Sequence, residues 1–306
     1  MENRTSQLGS ALSLLRVRQW TKNLLVFAAL MFTASFDDGR KVLLSAAAFL
    51  AMCLCSSAVY VVNDILDAEK DRLHPEKRNR PLAAGRISVR LAVATAFAVL
   101  AAGLSLGVWI GRDSLATMVF YLALQVLYNL WTRRIPIADV FTVSLGFVVR
   151  AALGAVAIGV QISGWLLLCT MALALLLSLA KRRHEFLLMG EGRADSRASL
   201  AGYNRQTLDS LVVFSACCSA LFYGVYALES ATAVAHPGLI LTSVFVFYGV
   251  ARYVFLVFSK GEGGEPDRIL LTDRHIILAV VGYVLFAVLA MNGLHLPNIE
   301  TGGKLR

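Results

Sequence analysis

Charge is what this 306-residue chain has least of: Asp, Glu, Lys and Arg make up 16% of it, where a soluble domain averages about 25%. With 58% hydrophobic residues and apolar runs of membrane-spanning length, that shortfall excludes an ordinary water-soluble globule. Cysteine is scarce too. Cys53, Cys55, Cys169, Cys217 and Cys218 all fall inside apolar runs. Cys53 and Cys55 would face different sides of a helix, and the adjacent Cys217 and Cys218 have no His or Cys partners at zinc-like spacing. Disulfides and a cysteine metal site are therefore not expected, and the five read as small apolar packing groups. Also missing near the start is a short apolar core followed by a small-residue cleavage site. Residues 1–22 are polar and basic, so no cleavable signal peptide is expected.

What is present is a run of nine apolar stretches, at roughly 22–36, 41–63, 90–110, 114–132, 136–159, 164–181, 207–228, 237–258 and 275–293. They predict an all-α, polytopic membrane protein of nine transmembrane helices forming one domain over residues 1–306. The net charge of +9 is unevenly placed. Segments 1–22, 64–90, 133–134, 181–206 and 259–274 hold 22 of the 29 Lys and Arg residues. By the positive-inside rule these segments and the N-terminus are cytoplasmic, which makes the basic excess a topology signal and gives no reason to expect nucleic acid. The opposite connections are very short, as at Gly111-Arg112-Asp113 and Gln161-Ile162-Ser163. Chemistry is therefore expected on the cytoplasmic side of a multi-pass protein of the plasma membrane.

The strongest chemical signal closes the second stretch, at Asn63-Asp64-Ile65-Leu66-Asp67-Ala68-Glu69-Lys70-Asp71. On a helix, Asp64, Asp67 and Asp71 fall at i, i+3 and i+7, along one stripe with Asn63. Three carboxylates there repel one another and oppose the helix dipole, so something positive should sit among them. Mg²⁺, which takes carboxylate and phosphate oxygens together, suits that place. Asp64, Asp67 and Asp71 are the candidate metal and catalytic residues. A basic loop follows, His74-Pro75-Glu76-Lys77-Arg78-Asn79-Arg80-Pro81-Leu82-Ala83-Ala84-Gly85, whose Lys77, Arg78 and Arg80 offer donors to phosphate oxygens. A second basic group, Lys181-Arg182-Arg183-His184-Glu185, ends the sixth stretch and reads as a further anion subsite. In it Lys181 and Glu185 are a turn apart, Arg182 and Arg183 diverge by about 100°, and Tyr203 follows in the same loop. Arg150, inside an apolar stretch, is expected to face a cavity, or an acid such as Asp139. Arg16, Arg18, Gln19, Trp20 and Lys22 suit an interfacial anchor, and Lys22 is also a candidate for a phosphate.

Asn-Asp-x-x-Asp at Asn63–Asp67, with nine spans, resembles the UbiA superfamily of intramembrane prenyltransferases. Those enzymes bind prenyl diphosphate through magnesium at two Asp-rich motifs, on the second and sixth spans. The first is matched here; the place of the second is taken by Lys181–Glu185. That departure is similar to the phosphoribosyltransferase branch of the superfamily. Further likeness to it lies in Arg18-Gln19-Trp20-x-Lys22-Asn23, Ser57-Ala58-Val59-Tyr60, Arg150-Ala151 and Gly264-Glu265-Pro266. The resemblance implies a UbiA-like bundle, with phosphoribosyl diphosphate as donor, a polyprenyl phosphate as acceptor and Mg²⁺ as cofactor. It also implies a polyprenyl-phosphoryl-5-phosphoribose product for cell-envelope arabinan. Asn63, Lys22, Lys77, Arg78, Arg80, Arg150, Lys181, Arg182, Arg183, Glu185 and Tyr203 become substrate-binding candidates. A prenyltransferase acting on an aromatic acceptor and a lipid-phosphate transporter are the competing expectations, and a homo-oligomer is compatible with either.

Overall fold

The computed structural model describes residues 13–33, 35–73, 77–189 and 198–293, and among these it is all helix, with no strand. A 3-10 segment, Val17–Phe27, runs into α1 (Ala28–Phe32). There follow α2 (Gly39–Leu66), α3 (Ala68–Leu73), α4 (Val89–Ile110), α5 (Arg112–Leu130), α6 (Ala138–Ile158), α7 (Gly164–Met189) and α8 (Arg205–Glu229). After them come α9 (Ala231–Ala235), α10 (Thr242–Ser259), α11 (Pro266–Thr272) and α12 (Arg274–Met291). Several helix starts are written locally. Asp38, Ser88, Asn204 and Asp273 each turn a side-chain oxygen onto backbone N–H groups of the first turn of α2, α4, α8 and α12.

Among the described residues seven helices are long and apolar enough to cross a membrane: α2, α4, α6, α7, α8, the stretch Pro237–Ser259 that contains α10, and α12. They match seven of the nine apolar stretches. Of the other two, 114–132 coincides with the 19-residue α5, and 22–36 falls on the 3-10 segment and the five-residue α1. Large apolar side chains stand exposed on the long helices, among them Phe97, Phe214, Val244 and Leu278, all at least 64% accessible. In water such a surface would be an association hazard; against lipid it is the ordinary exterior of a span. All five cysteines are free, and Cys53, Cys55 and Cys169 are buried packing groups as expected.

The chain forms two compact units. The first comprises residues 1–31, 35–129 and 149–161. In it α2 packs along α4, and the 3-10 segment lies on α2. Its core gathers Val26, Ala48, Met52, Cys55, Met118, Tyr121, Val149 and Leu153. Two glycines set how closely its parts approach. A Cβ at Gly103 would come within 2.9 Å of the Cys55 sulfur, and one at Gly154 would lie 1.8 Å from the Val26 carbonyl oxygen. The second clash is with backbone, which cannot swing aside. Gly154→Ala is expected to destabilise at the upper end of the roughly 1–3 kcal/mol usual for overpacking, read as a lowered midpoint for thermal unfolding in detergent.

The second unit comprises residues 32–34, 130–148 and 162–306. Here α7 packs along α8, and α10 bridges α8 and α12. Its core includes Val140, Leu176, Leu179, Leu200, Leu208, Val212, Tyr253 and Leu256, with a further aromatic cluster around Tyr223, Tyr226 and Phe32. At the mouth of α12, Asp273 caps the helix and takes a two-nitrogen hydrogen bond from Arg252, at 3.2 and 2.8 Å. The Arg252 fork is the main cause that holds its carboxyl down at about 2.

Candidate active site

In the first unit the acidic stripe ends α2 and continues into α3. Asp67 leaves the regular helix, yet its N–H bonds to the Asn63 carbonyl and its own carbonyl accepts from the Asp71 N–H. The helical i to i−4 bonding thus carries through the break, and the stripe stays on one side. Asp64 and Asp71 are buried, at 2% and 4% exposure, while Asp67 is half-buried. Two buried carboxylates need counter-charge, and Arg80 supplies it to both: its Nη1 lies 3.1 Å from Asp64 Oδ1 and 2.6 Å from Asp71 Oδ2. Arg80 is held in place by its loop. Ala84 N–H bonds to the Arg80 carbonyl, Arg86 and Ile87 N–H groups bond to that of Pro81, and Gly85 takes a φ of +69° that closes the turn. Leu82 then pins the loop into a small core with Leu14, Val61, Ala92 and Ala96.

A second guanidinium reaches the stripe from a place the sequence reading had assigned to membrane anchoring. Arg16 donates from Nη2 to the same Asp64 Oδ1 and lies over the Tyr60 ring, 5.1 Å from its centroid. Its backbone is left-handed, φ 51° and ψ 47°, a conformation that costs a non-glycine residue roughly 1–2 kcal/mol. The chain on either side is tied to α2: Ser57 Oγ donates to the Leu15 carbonyl at 2.7 Å, and Trp20 Nε1 donates to Ser57 Oγ at 3.0 Å. Ser57, Tyr60 and Asp64 are therefore one helical stripe facing residues 14–20. Asn63, beside them, leaves its buried side-chain oxygen without a hydrogen-bond partner. An orphaned amide oxygen next to two buried carboxylates is a set of hard oxygen donors, the kind that suits a divalent cation.

Arg78 and Lys22 stand nearby in sequence, the first exposed and the second half-buried. His74, Pro75 and Glu76, and the side chain of Lys77, lie outside the described residues. Deeper in the same unit, Arg150 is buried. Its Nε donates to Asn23 Oδ1 at 2.7 Å, its Nη2 to the Tyr121 hydroxyl at 3.0 Å, and it lies 4.9 Å from the Tyr121 ring centroid. Asn23 in turn donates to Cys53 Sγ and Ser56 Oγ, both at 3.2 Å.

In the second unit, Arg182 and Arg183 at the end of α7 diverge as a helix requires. Arg182 is buried, with Nε 3.0 Å from Asp139 Oδ2 and Nη1 2.6 Å from Glu185. Asp139, the acid expected as one option for Arg150, is fully buried here with Arg182. It also accepts from Ser199 Oγ at 3.0 Å and from the Tyr203 hydroxyl at 3.2 Å. The Tyr203 hydroxyl accepts in turn from the N–H of Ile137, whose φ is +68°. Burial, and then the neighbouring Asp139 charge, push the Tyr203 phenol up to about 12, which keeps it a protonated donor. Arg183 donates to Asp209 and to the Val257 carbonyl and lies 4.5 Å from the Phe258 ring centroid. Lys181 is exposed and Glu185 half-buried. The structure thus gathers Asp64, Asp71, Asn63 and Arg80 into one locus, and Arg182, Glu185 and Tyr203 into another. Arg16 and Asp139 are the members that sequence reasoning did not place there. The signal for both was unspent charge: three acids on one stripe demand more than one cation, and a buried arginine demands an acid.

Comparison with known proteins bears on what such loci serve. Over 284 residues the chain is 33% identical to the decaprenyl-phosphate phosphoribosyltransferase of Corynebacterium glutamicum, spanning 90% of this chain and 85% of that protein. It is also 33% identical over 275 residues to the enzyme of the same name from Mycobacterium tuberculosis, spanning 88% and 90%. Among solved structures it superposes on a UbiA homolog from Archaeoglobus fulgidus bound to GPP and Mg²⁺ with a TM-score of 0.70 at 18% identity, covering 93% of this chain and all of that one. The family model described as "UbiA prenyltransferase family" matches residues 24–260. This chain, a multi-pass membrane protein, belongs to the UbiA prenyltransferase family.

Proposed function

We propose that the protein transfers the 5-phosphoribosyl group from phosphoribosyl diphosphate to a polyprenyl phosphate such as decaprenyl phosphate. The products are diphosphate and a polyprenyl-phosphoryl-5-phosphoribose that supplies cell-envelope arabinan. The observation that carries this reading is the likeness, across nine-tenths of the chain, to proteins named decaprenyl-phosphate phosphoribosyltransferase. The residues agree with it. Asp64, Asp67, Asp71 and Asn63 offer hard oxygens at one acidic locus. The end of α7, where the resemblance would put a second Asp-rich motif, carries Lys181, Arg182 and Arg183 instead. In this reading the chain has nine spans with a cytoplasmic N-terminus, sits in the plasma membrane and works on the cytoplasmic side.

Among the described residues no three His, Cys, Asp or Glu side chains are poised together for a metal. Mg²⁺ is commonly held by one or two carboxylates plus substrate phosphates and water. Asp64 and Asp67, joined by Asp71 on the same stripe and by the unpartnered Asn63 oxygen, would hold it. When bound, Mg²⁺ would offset negative charge on the leaving diphosphate. Arg80, Arg78, Lys77 and Lys22 bind and orient phosphate oxygens; in the second unit Lys181, with Arg182, Arg183, Glu185 and Tyr203 ordering that helix end, offers a further anion contact. Arg150, held by Asn23 and Tyr121, contributes positive potential to the first unit. An oxygen of the lipid phosphate forms the new bond to the anomeric carbon as that carbon's bond to diphosphate breaks, with inversion. The lipid phosphate is ionised at neutral pH, so no strong base is required and the residues act by positioning and charge.

The test is transfer of label from phosphoribosyl diphosphate to decaprenyl phosphate by purified protein in detergent, with Mg²⁺ and with EDTA. Label in lipid that depends on Mg²⁺ is expected. The second reading, prenyl transfer to an aromatic acceptor, rests on the shared fold with homologs that bind prenyl diphosphates; turnover of prenyl diphosphate alone, with no label reaching lipid phosphate, would favour it.

A further inference from the structure

Asp64 Oδ1 accepts from two guanidiniums, and they are not equivalent. Arg80 is shared between two carboxylates, Asp64 at 3.1 Å and Asp71 at 2.6 Å. Arg16 has Asp64 and the face of Tyr60. A ring face steadies a cation without using its N–H donors. The Arg16 side chain is 25% exposed while the Asp64 side chain is 3% exposed, so the pair opens outward from the arginine's side. The left-handed backbone of Arg16 lies between two fixed points, Leu15 on Ser57 and Trp20 on Ser57. Only the guanidinium, then, is placed to change partner. A non-glycine residue held in this conformation at a charged site points to a role for that placement.

Resting on the phosphoribosyl-transfer reading above, we propose that Arg16 is a positioning residue that exchanges partners. It neutralises Asp64 in the unliganded protein, and it passes to the donor's diphosphate when Asp64 engages the divalent cation. The exchange keeps the locus near charge balance at each stage. The arriving cation and the arriving diphosphate each take one partner of an existing pair, so the buried Asp64 is never left without a counter-charge. A fork of N–H groups matches two phosphate oxygens at once, which lysine at this position would not reproduce.

Two measurements test it. Mn²⁺ binding, followed by electron paramagnetic resonance with no donor present, should tighten about tenfold in Arg16→Gln, because the competing guanidinium is gone. In steady-state transfer the same variant should raise KM for phosphoribosyl diphosphate about tenfold or more, with KM for the polyprenyl phosphate unchanged. Arg16→Lys, which retains the charge and so guards against a folding defect, should leave Mn²⁺ affinity near wild type and still raise the donor KM. Wild-type values for Mn²⁺ and donor in both variants would overturn the proposal and make Arg16 a structural clamp. Tighter Mn²⁺ with an unchanged donor KM would overturn the handover as well, leaving a counter-ion only. Wild-type protein that binds Mn²⁺ but moves no phosphoribosyl group would sink the functional reading instead, and the Mn²⁺ arm would still report on Arg16.

Discussion

Asp64→Ala is expected to lower Mg²⁺-dependent phosphoribosyl transfer by about 10²- to 10³-fold, since a carboxylate that helps seat the metal supports several kcal/mol of charge stabilisation. The fold should survive the change. Arg16 and Arg80 are each about a quarter exposed at the side chain, so both can reach solvent when their shared partner is lost, and Arg80 keeps Asp71. Asp64→Asn separates charge from shape: it can still accept from the two arginines but offers a weaker site to a divalent cation, so its activity should fall nearly as far. Activity is to be read against Mg²⁺ concentration. A loss that excess Mg²⁺ partly restores identifies metal seating, whereas full turnover in either variant would remove Asp64 from the reaction.

The second large effect is on stability, at Asp139. This carboxylate is fully buried and accepts from Arg182, Ser199 and Tyr203. Breaking a buried pair by removing one partner typically costs about 3–5 kcal/mol, because the other charge stays behind. Arg182 retains Glu185 at 2.6 Å, which places Asp139→Ala near the lower end, about 3 kcal/mol. The loss should appear as faster thermal inactivation in detergent. Asp139→Leu combined with Arg182→Met should be milder than Asp139→Ala alone, since the one carboxylate that then loses its arginine, Glu185, is 23% exposed at the side chain and reaches water. If the double variant were the worse of the two, the pair would be contributing more than mutual neutralisation.

What could be read from the sequence divides by range. The acidic stripe was legible because Asp64, Asp67 and Asp71 sit at helical spacing within eight residues, and the structure keeps that spacing even where Asp67 interrupts the helix. Seven spans were legible from apolar length alone. The pairings were not. Arg16 meets Asp64 across 48 residues and Arg182 meets Asp139 across 43, and no periodicity connects such partners. Arg16 stood among basic residues flanking an apolar run, where positive charge is ordinary and lowers suspicion. Asp139 was read only as an option for Arg150, and only the three-dimensional approach of Arg182 Nε to within 3.0 Å decides otherwise. The stretch 22–36 reads as a span by composition, but composition did not show that Asn23 bonds to α2 and Arg150, nor that residues 17–27 wind as a 3-10 segment.

The close approach of Gly154 to Val26 has a bearing on distance as well as stability. Because backbone meets backbone there, the segment that begins at Arg16 is moored at its far end like a ruler clamped at one mark. The nine residues between Arg16 and Val26 therefore cover a fixed distance, with Leu15 and Trp20 tied to Ser57 near one end. A single-residue insertion between Lys22 and Val26 would have to be absorbed between the Trp20–Ser57 tie and the Val26–Gly154 contact, displacing Asn23 from Arg150. The spacing of this stretch is thus a structural dimension of the chain, set by backbone contact rather than by any one side chain.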